Sequence, residues 1–82
     1  MKLFTASWCA PCKVIKMEML NYKHSIDIID VDEQPELTRA SGVRSVPTLL
    51  LGNGDVLVGL EDIVYAIRAA YGHTIKLGEE VN

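Results

Sequence analysis

The chain has 82 residues, 49% of them hydrophobic, with 8 basic against 11 acidic side chains and a net charge of −3. A chain this short is one domain, residues 1–82, with a small core. Its weak negative charge is spread along the sequence and gives no footing for a nucleic-acid or membrane partner, and the longest uncharged apolar run, residues 46–51, is far too short to cross a bilayer.

The first element is a short strand at residues 2–5. No apolar leader precedes it, which implies a protein that works in a reducing cytoplasm. The only two cysteines follow, in Trp8-Cys9-Ala10-Pro11-Cys12. A helix is predicted over residues 13–22. Cys12, Ile15, Met19 and Tyr22 form its apolar stripe, and Val14, Met17 and Leu20 widen that stripe enough for most of the helix to be covered. His24 closes it, a polar or cationic side chain being favourable at that end. Residues 26–31 form the second strand. A short helix then begins at Pro35, turns Leu37 and Ala40 inward and ends at Gly42. Residues 48–51 read as a strand buried on both faces. Gly52-Asn53-Gly54-Asp55 makes a hairpin with a fourth strand at residues 56–58. The last helix covers residues 61–71, with acids in its first turn, Ile63, Ile67, Ala70 and Tyr71 as its stripe, and Gly72 as its stop. In the tail, residues 73–82, a weak alternation through Thr74-Ile75-Lys76-Leu77 reads as a short edge segment or a fraying end. The order βαβαββα implies an α/β fold, a four-stranded mixed sheet with helices on both faces.

A C-x-x-C pair where a strand hands over to a helix is a redox arrangement with a physical basis. The first cysteine meets the unpaired N–H groups and positive dipole end of the helix, which favour the thiolate. Cys9, at the tip, is the nucleophile of this reading, and Cys12, one turn inward, is the resolving thiol. Lys13 adds positive potential near the thiolate, although Lys13 and Lys16 in the first turns oppose the helix dipole. Other readings compete. A purely structural disulfide across so short a loop removes little unfolded-state entropy. Zinc needs four ligands, and one chain offers Cys9, Cys12 and the distant His24 and His73, so a metal requires a dimer sharing it through two such pairs. An inactive copy is the third. The redox reading needs no metal and no bound cofactor, only a reversible Cys9–Cys12 disulfide.

Trp8-Cys9-Ala10-Pro11-Cys12-Lys13 is similar to the W-C-G-P-C-K motif of thioredoxins, with Ala10 in place of glycine. Gly42-Val43-Arg44-Ser45-Val46-Pro47-Thr48-Leu49 resembles the family's second signature, the loop that carries a cis-proline. The likeness covers residues 1–71 and implies the minimal thioredoxin-like fold, at glutaredoxin size. It also implies a cis bond before Pro47, where base rates alone favour trans. By the same resemblance Val46 and Pro47 bind an extended target chain, and Trp8, Pro11 and Gly59 line an apolar docking groove beside Cys9. The implied activity is reduction of protein disulfides by a monomeric electron carrier. It would be regenerated by an NADPH-dependent thioredoxin reductase, with ribonucleotide reductase as a natural specialised target.

Two departures qualify that likeness. Thioredoxins carry a buried acid six positions before the first cysteine and a lysine on the next strand; here these are Leu3 and Ile28. Cys12 is thereby left without an obvious internal base. Val58-Gly59-Leu60-Glu61-Asp62-Ile63 is similar to the G-G-x-D-D-L segment of glutaredoxins, which makes Asp62 a candidate glutathione contact. No basic residue precedes Cys9 in Thr5-Ala6-Ser7, however, and W-C-A-P-C differs from the glutaredoxin C-P-Y-C. The resemblance therefore favours thioredoxin-type over glutathione-dependent reduction. A non-catalytic binding module using the apolar rim around Trp8 is the reading from another class.

Overall fold

The computed structural model describes residues 1–74. In order they form β1 (Lys2–Thr5), α1 (Ala10–Met19), β2 (Asp27–Asp30), α2 (Pro35–Ala40), β3 (Thr48–Leu50), β4 (Val56–Val58) and α3 (Leu60–Tyr71), followed by a single 3-10 turn at Gly72–Thr74. The sheet order is β2-β1-β3-β4. β1 runs parallel to β2 and antiparallel to β3, and β3 pairs antiparallel with β4, so the sheet is mixed as the element order implies. The tail alternation expected at residues 74–77 lies largely outside the described residues.

Side-chain alternation decides what each face of the sheet carries. Leu3 sits opposite Leu49 in the β1–β3 register, and both are fully buried in one cluster with Ile15 and Met19 of α1 and Ile63 and Ile67 of α3. Burying each such aliphatic side chain stabilises the fold by about 1.5–3 kcal/mol relative to leaving it exposed. Phe4, Ile29 and Thr48 alternate onto the opposite face and are also nearly inaccessible. β1, which leads into the Cys9–Cys12 segment, is thus gripped from both sides.

Several boundaries differ from those expected. α1 starts three residues earlier, because Cys9 is its N-cap and Pro11 is tolerated in the first turn, where its missing N–H is no loss. It also ends at Met19: the N–H groups of Leu20, Asn21 and Tyr22 donate to carbonyls three residues back, tightening the end into 3-10 geometry. His24 therefore does not close the helix; its Nδ1 instead accepts from the Ile26 N–H at 3.1 Å, ahead of β2. Lys16 falls in the last turn of α1 rather than the first, where its charge suits the dipole. Nor is most of α1 covered. Cys12, Ile15 and Met19 are buried, whereas Val14, Met17 and Leu20 are exposed. In α2, Leu37 is only half-buried and Ala40 is exposed, so this helix buries nothing completely. Its end is well made all the same. Gly42 takes φ 76°, its N–H reaches the Arg39 carbonyl, and the Val43 N–H reaches that of Thr38. That pair of bonds is a Schellman closure.

α1 and α3 are also tied at the surface. Arg68 Nε and Nη2 donate to the two Glu18 carboxylate oxygens at 2.7 and 3.2 Å, and the Tyr22 hydroxyl donates to the same carboxylate. The Arg68 hydrogen bond, followed by that of Tyr22, holds the Glu18 carboxyl below its ordinary value of 4.5. Accepting that bond, Glu18 in turn pushes the Tyr22 phenol up. A carboxyl lowered by folding stabilises the native state above its unfolded pKa, and that contribution is lost as pH falls through the folded value. Acidification from pH 6 to pH 3 is therefore expected to lower the urea midpoint more in the wild-type protein than in Arg68→Gln. Equal acid slopes for the two proteins would show that the pair contributes nothing.

Candidate active site

β1 delivers Ala6, Ser7 and Trp8 to the start of α1, and the turn is closed by the Cys9 N–H donating to the Ala6 carbonyl at 3.2 Å. Cys9 then caps the helix with its own sulfur: Sγ accepts from the Cys12 N–H at 3.2 Å. Cys9 and Cys12 are joined as a disulfide, their Cα atoms 5.2 Å apart. One turn of helix brings the two sulfurs together. A thiolate at Cys9 would accept the same N–H as a charge-assisted bond, with the dipole adding to it. Lys13, in the first turn, is exposed.

Accessibility separates the two cysteines. Cys12 is 0% exposed and Cys9 5%. Both belong to a small apolar cluster with Ala6, against which Val31 and Val46 pack. Cys9 is thus less open than a nucleophile at a helix tip suggests, but of the two residues it alone has any exposed surface. In this form both sulfurs are consumed by their mutual bond, and among the described residues no group of three or more His, Cys, Asp or Glu is placed to hold a metal.

The loop before β3 faces this cluster. The Val46–Pro47 bond is cis, as the resemblance implies. Pro47 is buried, and among the described residues the Val46 amide and carbonyl have no backbone partner. The Pro47 carbonyl accepts from the Gly59 N–H at 3.2 Å, so the start of α3 is pinned to the proline loop. Gly59 does so with φ 100°, a conformation that a side chain makes costly, and both ends β4 and caps α3.

Trp8 is 69% exposed beside Cys9, and its indole Nε1–H donates to Asp32 Oδ2 at 2.9 Å. Asp32 is held in turn by its own N–H, which donates to Asp30 Oδ1. Asp32, just after β2, is thus the anchor of the tryptophan; 24 residues separate the pair, so no local pattern announces it. Trp8 and Val46 also form walls of a cavity of about 180 Å3, further lined by Val31, Val43 and Arg44. Neither Pro11 nor Gly59 lines it: Pro11 is exposed on the first turn of α1, and Gly59 lies against Pro47. Asp62 is exposed in the first turn of α3, and no described hydrogen bond joins it to the disulfide.

The geometry has its counterpart in known proteins. The thioredoxin family model matches residues 2–68. The chain belongs to the thioredoxin family. It is 46% identical over 61 residues to the thioredoxin of Bacillus subtilis, covering 66% of this chain and 59% of that one. It is 35% identical over 80 residues to that of Chlamydia caviae, covering 87% and 78%. The crystal structure of Plasmodium falciparum thioredoxin superposes with a TM-score of 0.60 at 26% identity, over 85% of this chain and 69% of that one. The chain spans about half the length of several curated thioredoxins, 45% in the case of Borreliella burgdorferi. Among the described residues no helix is long and apolar enough to cross a membrane.

Proposed function

We propose that this thioredoxin-family protein is a thiol–disulfide oxidoreductase that reduces disulfides in other proteins. The observation that carries the reading is the Cys9–Cys12 disulfide itself, with Cys9 at the N-cap of α1 and the wholly buried Cys12 a turn inward. In the reduced protein the Cys9 thiolate attacks one sulfur of the target disulfide. A Cys9–target disulfide forms and the other target sulfur leaves as a thiolate. Cys12, deprotonated, then attacks Cys9 Sγ, the second target sulfur leaves, and the Cys9–Cys12 disulfide re-forms. Two electrons pass to the target, and its two thiolates take up protons. The unpartnered backbone of Val46 would pair with the extended target chain, Pro47 fixing its position, while Trp8, Pro11 and Gly59 flank the approach and Lys13 favours the Cys9 thiolate.

Regeneration in this reading comes from an NADPH-dependent thioredoxin reductase, in a monomeric protein of the cytoplasm. Ribonucleotide reductase belongs to the class of targets such a carrier serves. Glutathione-dependent turnover, with Asp62 as a glutathione contact, is the competing reading that the first turn of α3 leaves open.

Insulin reduction separates the two. With NADPH and thioredoxin reductase the protein is expected to turn over many times per molecule. With glutathione and glutathione reductase it is expected to remain near the uncatalysed rate. Turnover in the second system alone would move the assignment to glutathione-dependent reduction and make Asp62→Ala the next variant to measure.

A further inference from the structure

Val46 belongs to two surfaces at once: it packs on the Cys9–Cys12 cluster and forms a wall of the adjoining cavity. Val46 therefore links the cavity wall to the cluster that holds the disulfide. Its walls at Trp8, Val31, Val43 and Val46 are apolar, and its one charged lining residue is Arg44. Among the described residues the Arg44 guanidinium has no hydrogen-bond or ion-pair partner. That contrasts with Arg68, whose guanidinium is taken up by Glu18. The Asp32 carboxylate, tied to this wall through Trp8, is held by the indole and does not line the cavity.

We infer that Arg44 is a specificity-determining residue: the cavity selects target chains that carry an acidic side chain close to the attacked cysteine. The inference rests on the reductase reading above. A cavity of about 180 Å3 accommodates one side chain, and its apolar walls suit the methylene stem of a glutamate whose carboxylate reaches the guanidinium. An extended chain advances about 3.3 Å per residue and alternates its side chains between faces. A residue two positions from the attacked cysteine thus points to the same side as that cysteine, about 7 Å along the chain, toward the side on which Val46 joins the cysteine cluster to the cavity. A lysine at that position would meet Arg44 with like charge.

The test uses disulfide-linked peptides in which Glu, Gln or Lys is placed one or two residues on either side of the attacked cysteine. kcat/KM is measured at low and high salt. For the wild-type protein, Glu is expected to exceed Lys by about tenfold at one of the two-residue positions, with Gln between, and the ratio should shrink in 0.5 M salt. Arg44→Gln should bring the ratio close to one, and Arg44→Lys should retain most of it. A Glu-to-Lys ratio that is the same in wild type and Arg44→Gln would overturn the inference while leaving the reductase reading intact. Failure to reduce any peptide would remove both. A parallel arm with a glutathione–peptide mixed disulfide covers the other carboxylate source. If Arg44→Gln slows only that substrate, the cavity serves glutathione and the acidic-target inference is wrong.

Discussion

Cys12→Ser is expected to stop the protein after a single half-reaction and to leave it covalently bound to its target. Removing the resolving thiol allows the Cys9 thiolate to form the mixed disulfide but removes the group that breaks it. Turnover should fall by about three orders of magnitude or more, while an adduct of protein plus target accumulates and is released by reductant. Cys9→Ser should abolish turnover as completely and give no adduct. The asymmetry follows from accessibility: Cys12 has no exposed surface, whereas Cys9, at the N-cap of α1, retains some. Mass spectrometry under non-reducing conditions reads both outcomes. An adduct with Cys9→Ser, or sustained turnover with Cys12→Ser, would reverse or refute the assigned roles. A binding module that works through the rim around Trp8 would be indifferent to both substitutions.

The elements were legible wherever a local pattern carries them. Alternating and helical apolar spacing placed all four strands and three helices in order, and Asn53-Gly54 marked the hairpin, where Gly54 adopts φ 94°. What spacing cannot carry is the identity of a distant partner. Trp8 with Asp32 and Glu18 with Arg68 are pairs separated by 24 and 50 residues, and neither has a sequence signature. Burial is not readable from apolarity alone for the same reason. Val14, Met17 and Leu20 are apolar, but α1 packs on the sheet and on α3 along one stripe only, so the opposite side faces solvent whatever its residues are. The disulfide pair was legible from its motif. The cis bond at Pro47 was legible only through the family resemblance, since composition and position argue for trans. The cavity beside Val46 was not legible at all, because it is assembled from Trp8, β2's end, α2 and the proline loop.

The apolar pair at positions 3 and 28 has the clearest energetic consequence. Leu3 and Ile28 are direct partners in the parallel β1–β2 register, so they share one face of the sheet. Leu3 is 0% exposed within the main core, and Ile28, on the edge strand, is 47% exposed. Leu3→Asp restores the acid of the family pattern without its lysine. The carboxylate would lie among Ile15, Leu49 and Ile63 with no cation, and is expected to destabilise the protein by about 3 kcal/mol or more at pH 7. For a chain of this size that corresponds to a fall in Tm of roughly 15 °C. Burial without a partner raises the folded pKa of such an acid above its unfolded value. The native state then holds the proton more tightly, so the variant loses stability as pH rises from the unfolded to the folded pKa and stands closest to Leu3→Asn at pH 4. Adding Ile28→Lys should recover part of the loss at pH 7, because an edge position at this register lets the lysine stem lie on the sheet while its ammonium faces the new carboxylate. Thermal melts of the single and double variants at pH 4 and pH 7 measure that coupling. If Leu3→Asp melts with the wild type at pH 7, the interior at position 3 already contains a compensating polar partner. Among the described residues the buried hydroxyls of Thr5, Thr48 and Tyr22 are already taken up, by the carbonyls of Ile29 and Ser45 and by the Glu18 carboxylate.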